Sequence, residues 1–188
     1  EDIKTYNGKV VRHLTASNVK TLSTCPRRFF YDSQQRTKAT APLLIGTLVH
    51  EYMEKKLLED DPKIDMTQLK VTDWDSFLKA YSLINRPIKY DKERCLAVEM
   101  PFEITLDNGV NIGGRIDLVY QEDGYLLIND FKTSNTALTD HEIKSDIQLK
   151  MYQLAITEIA NMTMEEREKM IETVTEVYGP LSEINKQF

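Results

Sequence analysis

Residues 113–133 read GGRIDLVYQEDGYLLINDFKT, and the fold is decided there. Ile116, Leu118 and Tyr120 alternate along a first strand, and Tyr125 to Phe131 form an apolar run with aromatic and branched residues. Between them Glu122-Asp123-Gly124 predicts a tight reversal, because glycine accepts the positive φ of a hairpin turn. Asp117 stands inside the first strand, with Asp130 and Lys132 at the end of the second. Strands seldom carry such charges without a use for them. Side chains alternate with period two, so Asp130 and Lys132 share a face and Phe131 takes the other. Pairing of the strands lays Asp117 beside Asp130. Two carboxylates and an ammonium then converge.

That convergence suits a divalent cation. Carboxylate oxygens are hard ligands of the kind Mg²⁺ or Mn²⁺ takes, with water and a substrate phosphate completing the shell. Lys132 beside them is placed to hold water or hydroxide, or to meet charge on a phosphorane-like transition state. The plainer reading of an isolated D-x-K is an ion pair on a solvated strand face. The rest of the chain has to choose.

Upstream, Leu96, Val98, Met100, Phe102 and Ile104 alternate as the buried set of another strand, with Glu99 and Glu103 on its other side. Asp107-Asn108-Gly109 predicts the next hairpin turn, so three consecutive antiparallel strands are expected from Cys95 to Lys132. Downstream, Thr139 with Glu142 forms a capping box for a long helix to about Asn161. Gln148 and Tyr152 share a face of it, either as a working pair or as ordinary helix surface. A second box, Thr163 with Glu166, opens an acidic helix through about Val177, stopped by Gly179-Pro180. From Leu181 the tail carries no pattern.

Towards the N-terminus a short extended segment is expected around Val10 and Val11. From Thr15 the spacing of Val19, Leu22, Phe29 and Phe30 predicts helix, capped by Thr15 or Ser17. Lys20, Arg27, Arg28, Arg36 and Lys38 face one acid there, Asp32. The arginines and aromatics either meet a nucleic acid or divide into solvated charges and core rings. Residues 39–45 read as a loop. A helix then runs from Gly46 to about Glu59, burying Leu48, Val49, Tyr52, Met53 and Leu57, and ends at Asp60-Asp61-Pro62. His50 lies beside that stripe, as a hydrogen-bonded core residue or as a ligand. A packing helix is expected around Trp74, Phe77 and Tyr81.

At 188 residues the chain suits a single domain with a real core, and no apolar run approaches membrane-spanning length. Cys25 and Cys95 do not form a close-spaced metal motif, and a reducing compartment is expected. No secretory leader is read at Glu1, and a cytoplasmic setting is expected. The net charge of −6 argues against a broad basic coat, although a nuclease needs only a local basic track.

In order, these pieces resemble the RecB-like branch of the PD-(D/E)XK nuclease superfamily, which includes CRISPR-associated and phage exonucleases. The residues that carry the likeness run from Leu14-Thr15-Ala16-Ser17 through Cys25-Pro26-Arg27-Arg28-Phe29-Phe30-Tyr31, then Gly46-Thr47-Leu48-Val49-His50. They continue with Gly113-Gly114-Arg115-Ile116-Asp117, Asp130-Phe131-Lys132-Thr133 and Gln148-Leu149-Lys150-Met151-Tyr152. The likeness is strongest over 14–160, with 161–188 as a helical appendage to one nuclease domain. It implies an α/β, restriction-endonuclease-like core: a small mixed sheet led by an antiparallel meander and flanked by helices.

It also implies roles. Asp117 and Asp130 would be metal-binding carboxylates, joined by His50 and the Phe131 carbonyl, around one or two Mg²⁺ or Mn²⁺ ions. Lys132 would position or activate the attacking water, and Gln148 and Tyr152 would line the site and orient substrate or Lys132. Arg27, Arg28 and Arg115 would meet DNA. Glu99 matches an acidic position of some relatives. Several relatives hold an iron–sulfur cluster with one cysteine near Cys25 and three after the Gln–Tyr helix. No cysteine follows Cys95 here, so no cluster is expected and Cys25 is expected to be a buried thiol. Many relatives also enter another strand after that helix. Its lack here leaves the sheet truncated or the domain docked on a protein partner or a second copy. The implied activity is metal-dependent DNA hydrolysis, exonucleolytic first and structure-selective endonucleolytic second. A catalytically silent DNA- or protein-binding relative is the rival from another class.

Overall fold

A computed structural model describes residues 5–6, 9–10, 13–34, 40–58, 63, 65, 74–84, 90–134, 136–182 and 185. Val11, Arg36, Lys38 and the Asp60-Asp61-Pro62 stop lie outside the described residues. The chain divides into two compact units. The first comprises Glu1–Thr37, Pro101–Ile116 and Leu138–Leu181; the second comprises Lys38–Met100, Asp117–Ala137 and Ser182–Phe188.

The first unit begins with a small antiparallel pair, β1 (Thr5–Tyr6) and β2 (Lys9–Val10). Thr15 caps α1 (Ala16–Thr24) through a reciprocal box with Asn18. The helix expected to continue stops at Cys25, whose backbone is extended (φ −155°, ψ 94°), and α2 (Pro26–Gln34) starts anew. Pro26 explains the break, because the residue before a proline is pushed out of helical conformation. Cys25 is exposed rather than buried as expected, since at this break its sulfur accepts the Arg28 amide (3.4 Å).

The long helix expected from Thr139 likewise divides. The Thr139–Glu142 box opens α5 (Asp140–Ser145), which ends at Asp146 with an extended backbone. The Asp146 carboxylate then accepts the Gln148 amide (2.7 Å) and caps α6 (Ile147–Asn161). The Thr163–Glu166 box opens α7 (Met164–Tyr178), and Gly179 closes it at φ 90°. Helix α1 packs on α2 and α6. Phe102, Ile104, Ile112, Tyr152, Ala155, Ile159 and Val174 are buried in this unit. Leu14 forms a parallel bridge with Ile112.

The second unit contains α3 (Ala41–Leu58) and α4 (Trp74–Ile84). The stretch 41–45, read as loop, is the first turn of α3. Pro42 costs little there, where an amide has no helical partner, and Ile45 packs with Leu48 and Val49 on Phe77 and Ala80. The expected stripe of Leu48, Val49, Tyr52, Met53 and Leu57 is buried. A second cluster joins Leu57, Cys95, Val98, Leu118 and Tyr120, with Tyr90 and Phe131 against it.

One antiparallel sheet runs β3 (Cys95–Thr105), β4 (Asn111–Glu122), β5 (Tyr125–Asn129), in that order. The unit division falls within β3 and within β4. Both hairpin turns take the positive φ that their sequences demand, at Gly109 (77°), Asp123 (50°) and Gly124 (82°). The β4–β5 register pairs Leu118 with Asn129 and Glu122 with Tyr125. β5 ends at Asn129, so Asp130, Phe131 and Lys132 follow the strand rather than lie in it. Among the described residues no helix is long and apolar enough to cross a membrane.

Candidate active site

Three elements of the second unit aim polar groups at one point. Helix α3 brings His50, β3 brings Glu99, and β4 brings Asp117, all beside the segment that follows β5. His50 Nδ1 lies 3.1 Å from Glu99 Oε1 and 3.5 Å from Asp117 Oδ1. His50 Nε2 lies 3.0 Å from the Phe131 carbonyl oxygen. The Phe131 amide donates to Asp117 Oδ2 at 2.6 Å, and Lys132 Nζ sits 2.6 Å from Asp130 Oδ2. The ligand atoms of His50, Glu99 and Asp117 all fall within 4.8 Å of one another.

Electrostatics shows what this arrangement costs. Burial pushes the Asp117 carboxyl up to about 7, and the charges of Asp130 and Glu99 add to the effect. The His50 charge and the Phe131 amide oppose it. The His50 imidazole is shifted upwards, first by its hydrogen bond to Glu99, with Asp117 and the Phe131 carbonyl assisting against desolvation. Carboxylates held this close in a half-dry site repel one another unless a cation sits among them. One imidazole nitrogen and two carboxylates within reach of one another form an oxygen-rich set that fits a divalent cation.

Glu99 reaches the cluster by an unusual backbone. Its φ is 46°, the left-handed region, inside a strand. Such a residue re-aims a strand, at a cost of about 1–2 kcal/mol. The expected alternation fails around it: Ala97 and Val98 are both buried, and Leu96 only half. Beside the kink, the buried Asn185 amide donates to the Val98 carbonyl (2.8 Å) and accepts the Val98 amide (3.0 Å).

Of the residues expected at a metal centre, the structure brings His50, Asp117 and Phe131 into direct contact. Asp130 and Asp117 each stand one position beyond the Leu118–Asn129 pair, and the Asp130 charge acts on the Asp117 carboxyl. Glu99 has a stronger place than the motif reading gave it, and Asn185 was missed. An acid in an apolar strand was the available signal for Glu99. For Asn185 there was none, because its partner is backbone 87 residues away.

Gln148, Tyr152 and the three arginines belong to the first unit. Gln148 Nε2 donates to the Tyr152 hydroxyl at 2.5 Å, which makes the i,i+4 pair real. Arg27 lies over the Tyr31 ring (5.8 Å), and Arg28 pairs with Asp32 (3.2 Å). Both arginines are exposed, as are Phe30 and Tyr31, so those two rings are not core. Arg115 is exposed, 5.0 Å over the Tyr178 ring.

The family model of the PD-(D/E)XK nuclease superfamily matches residues 13–186. The chain therefore belongs to the PD-(D/E)XK nuclease superfamily, whose nucleases use divalent metals. No curated protein matches the sequence significantly.

Proposed function

We propose that this chain is a Mg²⁺- or Mn²⁺-dependent deoxyribonuclease of the RecB-like branch, hydrolysing phosphodiester bonds from DNA ends. The observation that carries the reading is the convergence of His50, Glu99 and Asp117 beside the Asp130–Lys132 pair. Asp117, Asp130, Glu99 and His50 Nδ1 would hold the metal, and the Phe131 carbonyl, at Nε2 on the other side of the imidazole, would fix the ring rather than ligate. When bound, the cation acidifies water and offsets charge on the scissile phosphate.

The chain's own residues do the rest. The Phe131 amide fixes one Asp117 oxygen and leaves Oδ1 facing His50. His50 must give up the proton on its ligating nitrogen, and the acceptor at its other nitrogen then sets the tautomer. Asp130 holds the Lys132 ammonium in place, where it orients the attacking water and meets negative charge developing on the phosphate. Gln148 and Tyr152 orient the substrate strand, and Arg27, Arg28 and Arg115 contact its phosphates. Bacterial or phage recombination, repair or CRISPR-type processing is the setting in which such an exonuclease serves.

The test uses end-labelled linear DNA and closed circles, single- and double-stranded, with Mg²⁺ or Mn²⁺ against EDTA, beside Lys132→Ala. Metal-dependent loss of linear but not circular DNA, abolished in the variant, supports the reading. Cutting of circles replaces the exonuclease with a structure-selective endonuclease. No cleavage by folded protein with either metal overturns the enzymatic reading.

A further inference from the structure

The first unit contains a cavity of about 300 Å³ whose lining includes Ser17, Phe102, Arg115, Met151, Tyr152 and Tyr178. Its lining is chemically selective. Among the described residues no acidic side chain lines this cavity, and Arg115 is the one charged side chain that does. Among the described residues no carboxylate reaches the Arg115 guanidinium. It is held instead by cation–π contact with Tyr178 and by the Tyr178 carbonyl (3.4 Å). An arginine fixed without a counter-ion is ready for an anion.

The wall that holds Arg115 is itself braced. The Tyr178 hydroxyl meets His13 Nε2 at 2.9 Å, and His13 Nδ1 meets Glu103 at 2.8 Å. Gly113 makes room for this brace, since a Cβ there would lie 2.7 Å from the His13 ring and 2.9 Å from the Phe102 carbonyl. Buried Phe102, Met151 and Tyr152 supply an apolar interior, and Ser17 and Gln148 supply hydrogen-bonding groups. An inorganic phosphate alone would leave such a cavity mostly empty. A planar base with a phosphate attached matches both its apolar depth and its single cation.

The geometry points to a seat for one unpaired nucleotide, with its base in the cavity and its phosphate on Arg115. This deepens the nuclease reading by assigning single-stranded DNA, or a frayed end, as the preferred substrate. A paired base must leave its stack to enter such a cavity, and unpaired strands have already met that cost.

Binding is measured in EDTA, so that it stands or falls independently of cleavage. The probe is a fluorescent ten-residue oligo-dT read by anisotropy, with a duplex of the same length, dTMP and inorganic phosphate as competitors. Arg115→Met, which keeps the stem and removes the charge, weakens oligo-dT about tenfold and lowers the log–log salt slope by about one. Ser17→Trp fills the mouth from an exposed position and weakens oligo-dT without lowering thermal stability. dTMP competes better than inorganic phosphate, and the duplex competes worse than either strand. Wild-type affinity in both variants, or phosphate competing as well as dTMP, would overturn the nucleotide seat. Loss of cleavage with this binding intact would instead count against the catalytic reading alone.

Discussion

The side chain of Asn185 pairs with both backbone groups of Val98, as a neighbouring strand residue would, one position before Glu99 turns to φ 46°. The C-terminal amide thus braces the strand where it bends towards His50. Asn185→Leu leaves a buried amide and carbonyl at Val98 without this partner, costing about 1–3 kcal/mol of stability in urea titrations. It also weakens Mn²⁺ binding about threefold to tenfold, as loss of a ligand's supporting contact does. Stability lost with unchanged metal affinity would limit Asn185 to a packing role.

Asp117 is held as a buried acid whose carboxyl is pushed up by burial and by the charges of Asp130 and Glu99. Asp117→Asn keeps an acceptor for the Phe131 amide and removes the repulsion. In EDTA it raises unfolding free energy by about 1–3 kcal/mol while eliminating metal-dependent cleavage. Chemical denaturation of the two proteins in EDTA checks the first half, and a cleavage assay checks the second.

A pH dependence follows from the same carboxyl. Its folded value of about 7 lies above its ordinary 3.8, so between these the folded protein keeps a proton that the unfolded chain releases. Asp117 therefore favours folding in acid, and the stability gained is lost as pH rises from about 4 through about 7. Each unit is worth about 1.4 kcal/mol at most. Urea titrations in EDTA should show this slope in the wild type and its reduction in Asp117→Asn.

Gly113 and Gly114 look alike in sequence but differ in space. A methyl at Gly113 collides with His13 and the Phe102 carbonyl, whereas at Gly114 the nearest atom is the Phe102 ring at 3.5 Å. Gly113→Ala should cost about 2–4 kcal/mol and Gly114→Ala no more than about 1 kcal/mol, measured by urea denaturation.

The hairpins were legible because their turns spell out positive φ, and the turn at Glu122-Asp123-Gly124 brought Asp117 and Asp130 into one neighbourhood. Capping boxes likewise marked Thr139 and Thr163 as helix starts. What escaped was set by context. Cys25-Pro26 held the signal for a helix break, but the apolar spacing of Val19, Leu22, Phe29 and Phe30 outweighed it. The break at Asp146 and the start of α3 at Ala41 depend on a side-chain cap and on Ile45 packing against α4. The left-handed Glu99 and the Asn185 brace join groups distant in sequence, which local patterns do not encode.

The most direct test of the central claim is a calorimetric titration of Mn²⁺ into the metal-free protein, beside His50→Ala and Asp117→Asn. Saturable binding to the wild type, weakened at least about tenfold in both folded variants, is the predicted result. Wild-type affinity in both variants, or no binding to the folded wild type, would contradict a metal centre at His50, Glu99 and Asp117.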